Sequence, residues 1–496
     1  MDTLSELIGL LNDTDELDFK QFLKHKNKRN DVKNIDLFDL IKTDDINAQK
    51  SLYKKAKNKD AYHALRKRLQ DSLLLYLSQK TFESDSSEWY DALRLLVVAR
   101  FLFEHDLTKL ALKCLGRAAK IAEKLEQFSL LHDIYLLRLQ YVHLQDAQEL
   151  EQLTERFLSN QAHMQCEAKL NLAYAFLRRE LQEVNLKGKI VNLTGLILAT
   201  LRKYKIALSE LMTYKALYQI LYIANEYAAI YQNYGLVARF VKRTYDFMQS
   251  QNERKPGHLF YHLSIIYFLA NFQLRNKNFN ACATYLREMN VLMDEQRAYR
   301  SMFFLRQQLL LALSLHFSGK ADQALDMIER ALATVSKKSK SEDVDDLRIC
   351  LVMFLAQHND RTCLRPLALL THTDAWYEKK LGMLWTIRKN LMEIVVQAQF
   401  GHIDLAVSRL TSFKRRYKAY LLTIGEERVL HFVGFVEKYL DQPNVASDVN
   451  FQQQVLAMLH VTANTDIFNL SFIAWLIARW KKKTPYEITL ELVGGG

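Results

Sequence analysis

Apolar residues recur along most of this chain at intervals of three and four, the spacing that places side chains on one face of an α-helix. The pattern is clearest from Leu309 to Lys337, LLLALSLHFSGKADQALDMIERALATVSK. Ala312, Leu315 and His316 share a face of a first predicted helix. Gly319, free to take a positive φ, supplies its stop. Ala324, Ile328 and Ala331 share a face of the second helix. The small side chains of Ala312 and Ala324 let the two backbones approach, and Leu315 and Ile328 fill the space between them. Such a hairpin cannot bury its apolar faces alone, so it needs copies of itself on both sides.

The copies are present. Ala99, Leu102, Ala111, Leu115 and Ala118 fit the same frame, as do Ala270, Phe279, Cys282, Leu286 and Met289. Gly401, Ile403, Ala406, Leu410 and Phe413 form a further copy, and Gly235, Ala238 and Val241 a looser one. The second-helix anchors Ala111, Ala238, Cys282, Ala324 and Ala406 are spaced by steps of about 42 residues or multiples of that. A small residue in the first helix, Gly before the turn, then Ala, a large apolar residue and Ala in the second helix resembles the tetratricopeptide repeat. The aromatic near the start of that repeat's first helix and its closing Pro are missing, because Gln308 and Ser336 stand there. The period is also longer than the about 34 residues usual for the family.

The resemblance implies an all-α fold, an α-solenoid of stacked antiparallel helical hairpins with lengthened helices over residues 85–480. It also implies a non-enzymatic scaffold or adaptor that receives a peptide or partner protein in a concave groove lined by the first helix of each hairpin. Carried onto this chain, the groove-facing positions are Tyr227, Tyr231, Tyr267, Asn271, Arg275, Arg306, Leu309, Leu313, His316, Arg388, Leu391 and Val395. Among these, Asn271 and Arg275 supply the donors that a peptide backbone or carboxylate needs.

Composition agrees with a helical array. Only 14 Gly and 4 Pro occur in 496 residues, which argues for long helices with short connections and against a β-rich fold. The five cysteines, Cys114, Cys166, Cys282, Cys350 and Cys363, are odd in number and far apart, so buried reduced thiols are expected instead of a disulfide framework. The acidic start MDTLSELIGLLNDTDEL lacks the basic and apolar regions of a secretory signal, and no apolar run reaches the length of a membrane span. Both features point to the cytoplasm.

Charge sets the first residues apart. From Lys20 to Gln70 there are 15 Lys and Arg against 6 Asp, a difference of +9, while the whole chain carries +12. Residues 1–84 are therefore read as a basic N-terminal helical unit ahead of the solenoid, and 481–496 as a C-terminal tail. A helix through AYHALRKRLQDSLLLYLSQ turns Ala61, Leu65, Leu69, Leu73 and Leu77 inward and sets Arg66, Lys67 and Arg68 on its polar side. This supports an alternative function: a regulator that binds nucleic acid through residues 20–70, with the solenoid as sensor. A solvated lysine-rich face gives the same pattern.

The chain carries no Walker loop, no GxGxxG, no GxSxG and no DxDxDG calcium loop. His258 and His262 stand four apart, yet Leu259 occupies the place of the Glu that a zinc protease needs, and no third ligand is near in sequence. The expectation is a protein without catalytic residues, metal or cofactor. Tyr486 to Val493 alternates in the manner of a short strand.

Overall fold

The computed structural model describes residues 3–9, 11–26, 32–43, 59–84, 88–144, 147–187, 192–206, 213–231, 238–250, 258–295, 297–336, 339–460 and 467–494. Gly235 and parts of the basic stretch 20–70 lie outside the described residues. Among those described, every regular element is helical, and the fold class is an all-α helical-repeat array. The chain divides into two compact units, residues 1–157 and 158–496.

The first unit holds α1 (Thr3–Ile8), α2 (Asp13–Lys26), α3 (Val32–Lys42) and α4 (Lys59–Ser84). It continues with α5 (Glu88–Glu104), α6 (Thr108–Lys124) and α7 (Phe128–Gln140). Leu4, Phe19, Leu23, Phe38, Leu65, Leu69 and Leu73 belong to one core among α1–α4. Ala99, Ala111, Leu115, Ala118 and Ile134 belong to a second among α5–α7. The division between the units falls within α8 (Ala147–Lys187).

The second unit continues with α9 (Leu193–Lys203), α10 (Tyr214–Tyr231), α11 (Ala238–Ser250), α12 (Leu259–Arg275) and α13 (Phe279–Glu295). Next come α14 (Arg297–Phe317), α15 (Ala321–Ala333), α16 (Ser341–Gln357), α17 (Leu364–Ala368) and α18 (Asp374–Lys380). The last are α19 (Met383–Gln399), α20 (Ile403–Thr423), α21 (Glu427–Asp441), α22 (Val449–His460), α23 (Ile467–Ile477) and α24 (Pro485–Gly494). From α12 to α16 each helix packs on the next in sequence, and so do α5 with α6, α6 with α7, α19 with α20, α20 with α21 and α23 with α24. In addition α10 packs on α12, α12 on α14, α14 on α16, and α16 on α19, which is how stacked hairpins share a continuous core. Ala270 with Cys282, and Ala312 with Ala324, are fully buried where the paired helices approach.

Eight of the turns that end helices share one backbone solution. Asp106, Glu126, Lys205, Lys277, Gly319, Asn359, Gly401 and Gly425 all take positive φ, from 50° to 88°. In each case the N–H of the following residue donates to the carbonyl five residues earlier: Leu107 to Leu102, Asn278 to Gln273, Lys320 to Leu315, His402 to Gln397. This is the Schellman closure, which satisfies helix carbonyls that would otherwise lack a donor. Five of these residues are not glycine, although a left-handed conformation costs them about 1–2 kcal/mol each. The turn is therefore set by the packing of the flanking helices.

Residues 481–496, read from sequence as a tail, contain α24. The strand expected from Tyr486 to Val493 is a helix, and its start explains why. Thr484 N and Oγ1 both donate to Glu487 Oε2, at 2.7 and 2.9 Å, while Glu487 N donates to Thr484 Oγ1 at 3.2 Å. With Pro485 at the first helical position this is a capping box, and it outweighs a short alternation of apolar residues.

Candidate functional site

Four first helices of successive hairpins, α12, α14, α16 and α19, turn one face each toward a shared recess in the second unit, and α23 lies across it. The cavity measures about 320 Å³. On α12, Tyr267, Asn271 and Arg275 line it at four-residue spacing, and α14 contributes Leu309 and Leu313. On α16 the lining residues include Asp346, Cys350, Met353 and Gln357, and on α19 Trp385, Arg388, Met392 and Val395. Phe468, Ser471, Phe472 and Trp475 of α23 complete the wall.

The polar groups of the wall are unequally satisfied. Asn271 Nδ2 donates to Asn225 Oδ1 at 2.9 Å. The Arg275 guanidinium lies 4.5 Å from the Phe468 ring centre, a cation–π contact. Asp346 accepts from the Trp385 indole N–H at 2.8 Å, and burial pushes its carboxyl up to about 6. Burial likewise raises the Tyr267 phenol to about 12 and lifts the Cys350 thiol, so both stay neutral near pH 7. Arg388 forms no hydrogen bond or ion pair with any described residue. The recess is thus mostly apolar with a few convergent polar groups, the general form of a ligand site.

Of the positions read as groove-facing, Tyr267, Asn271, Arg275 and Arg388 meet in this recess, with Leu309, Leu313 and Val395. Arg306 and His316 do not line it. Arg306 Nε donates to Asp343 Oδ1 at 2.9 Å. His316 is a core residue, fully buried and stacked 3.7 Å from the Phe354 ring. Its Nε2 pairs with Gln357 Oε1 at 2.6 Å, and burial depresses its imidazole to about 3. The cavity spans only the middle of α14, and α16 and α24 cover the end that carries His316. Leu391 is buried in a neighbouring core.

Tyr227 lines a second, more apolar cavity of about 280 Å³ formed by α8, α9, α10 and α11, and its hydroxyl lies 2.7 Å from Thr194 Oγ1. The side chain of Tyr231 lies outside the described residues. In the first unit, Arg66 donates to Tyr62 Oη at 3.3 Å and lies over its ring, while Lys67 and Arg68 are exposed on the same helix.

Sequence reasoning missed Asp346, Cys350, Met353 and Gln357, although their spacing of four, three and four marks one face of α16. The apolar pattern around Phe472 and Trp475 predicts a helix buried as a cap on the last repeat or against a partner, not the wall of a groove, and Phe468 is not singled out. The residues of α23 are apolar on most sides, with Asn469 and Ser471 the exceptions, so the apolar pattern singles out no one face. His258 and His262 are buried against Tyr214, with ring centres 5.2 and 5.6 Å away. Among the described residues no group of three or more His, Cys, Asp or Glu is placed to hold a metal ion, and no helix is long and apolar enough to cross a membrane. No protein-family model, no curated protein and no solved structure matches this chain.

Proposed function

We propose that the chain is a non-enzymatic interaction scaffold whose second unit receives a peptide or partner protein against the inner faces of its first helices, in the manner of tetratricopeptide-like arrays. The observation that carries this reading is the convergence of Tyr267, Asn271 and Arg275 from α12 with Arg388 from α19, 113 residues further along, on one recess. Arg388 supports it further, since a cation with no partner among the described residues suits an acidic or carboxylate-bearing ligand. The test is affinity capture from the native lysate with nuclease present, comparing the wild type with Asn271→Ala and Arg388→Glu. A defined partner held by the wild type and lost from both variants is expected. Equal capture by all three would overturn the assignment to this face.

The exposed Lys67 and Arg68 favour a second reading, in which the first unit binds nucleic acid. Retention on DNA or RNA would then fall steeply with salt, because each neutralised phosphate releases counterions. Neutralising Arg66, Lys67 and Arg68 together would abolish it. Retention that ignores both salt and these substitutions rules the second reading out.

A further inference from the structure

The charges around the recess are not balanced within it. Arg275 and Arg388 bring two positive charges to its wall, and Asp346 is the one carboxylate among the lining residues. Arg306, nearby on α14, is already neutralised by Asp343 and lies outside the lining. Arg388 is half-buried and forms no hydrogen bond or ion pair with any described residue, so an anion beside the apolar wall would match it. A guanidinium is best matched by a carboxylate, whose two oxygens fit its parallel donors. The wall also holds a spare donor: Gln357 Oε1 is engaged by His316, while its Nε2 is buried without a partner.

The rest of the wall fixes the body of the ligand. Leu313, Met353, Met392, Val395 and Phe472 are apolar, and the two methionines can adapt to a flexible chain. At about 320 Å³ the cavity sits at the small end of ligand pockets, which run from about 300 to 1,000 Å³. That volume suits a small molecule better than a folded segment. We propose that the recess binds an amphipathic monocarboxylate of the medium-chain fatty acid class, its carboxylate on Arg388 and its chain along the apolar wall between α14, α16 and α19. This rests on reading the inner face as a binding face and names the ligand class that its recess takes.

Two of the five tryptophans, Trp385 and Trp475, line the cavity, so their fluorescence reports its filling. The purified full-length protein is titrated with decanoate and, separately, with decanol, by fluorescence and by calorimetry. The wild type is expected to bind decanoate saturably at one site per chain, with decanol about tenfold weaker or more. Arg388→Gln is expected to weaken decanoate about tenfold and leave decanol unchanged, and Val395→Trp, which fills the cavity, to abolish both. Arg388 makes no bond that the fold needs, so the Gln variant keeps the wild-type melting curve. Three results overturn the proposal: no saturable decanoate binding, decanoate binding that ignores Arg388→Gln, or binding that survives Val395→Trp. If decanoate fails to bind while a protein partner is still lost on Arg388→Glu, the fatty-acid assignment falls and the scaffold reading stands.

Discussion

The first hairpin, α5 with α6, and the hairpin of α14 with α15 are built to the same frame, yet their outer surroundings differ. In both, small residues are fully buried between the helices: Ala99 with Ala111, and Ala312 with Ala324. In α14 the adjoining positions Leu310 and Leu313 are almost wholly buried, 3% exposed each, beside the recess that α23 crosses. In α5, Val97 is 54% and Phe101 57% exposed, and the nearby Leu107 and Leu110 are half exposed too. The difference teaches that the interior of a hairpin is fixed by its own small and large residues. What happens on its free face depends on a distant element that the hairpin sequence does not specify.

The largest test of that contrast removes the cover. Trp475 is 2% exposed and sits in the core of α19–α24, so Trp475→Ala is expected to cost about 3–5 kcal/mol. Phe101→Ser, an equally drastic change of polarity on the open face of α5, is expected to stay within about 0.5 kcal/mol. Thermal melts of the two variants check the pair, and a Trp475→Ala melt close to wild type would mean that α23 does not hold the second unit together.

A smaller effect concerns the end of α14 that α24 covers. The imidazole of His316 falls from 6.5 to about 3 on burial, so the native state holds it neutral. Between those values the unfolded chain binds the extra proton, hence stability is complete above pH 6.5 and is lost as pH falls. At pH 5 the loss is about 2 kcal/mol relative to pH 7.5. His316→Phe keeps the stacking on Phe354 and removes the titration. Urea melts at both pH values should therefore show the wild type losing about 2 kcal/mol more than the variant. Equal losses would place the imidazole in contact with water.

The smallest effects come from the turns. Gly319 has a φ of 88°, and a Cβ there would meet nothing closer than Leu490 Cδ1 at 4.0 Å. Gly319→Ala thus suffers backbone strain alone, about 1–2 kcal/mol. The equivalent turn residue of α12–α13 is Lys277, with a φ of 63°. Lys277→Gly relieves the same strain and is expected to stabilise by about 0.5–1 kcal/mol after the entropy cost of Gly. A destabilising Lys277→Gly would show that the Lys side chain contributes more than its backbone costs.

These turns also mark how much could be read from sequence. Hairpins closed by Gly319 and Gly401 announce themselves, because glycine is the cheapest left-handed residue. Those closed by Asp106, Lys277 and Asn359 do not, and only the small residues of the paired helices reveal them. The inner-face residues of α12 and α19 were legible because a helical phase carries from one hairpin to the next. Arg306 and His316 share that phase, but Asp343 of α16 pairs with Arg306 in the middle of α14, and α16 with α24 buries His316 near its end. The burial of Phe472 and Trp475 was legible from their apolar helix, but their place on the wall, with that of Asp346 and Gln357, was not, since a wall made by several helices depends on which faces tertiary packing brings together. The helix of α24 was legible in principle from Thr484, Pro485 and Glu487.

The hydrogen bond from Tyr486 Oη to the His316 carbonyl, 2.8 Å long, joins residues 170 positions apart. Helical arrays otherwise assemble by local steps, each hairpin resting on the one made just before it. At ribosomal rates of about 5–20 residues per second, Tyr486 emerges about 10–30 s after His316. For that interval α14 and α16 are complete while the aromatic and apolar surfaces that α23 and α24 will cover stand open in the growing chain. Synthesis therefore leaves a window in which a chaperone, or a neighbouring nascent chain, can reach the surface that the finished protein keeps for itself.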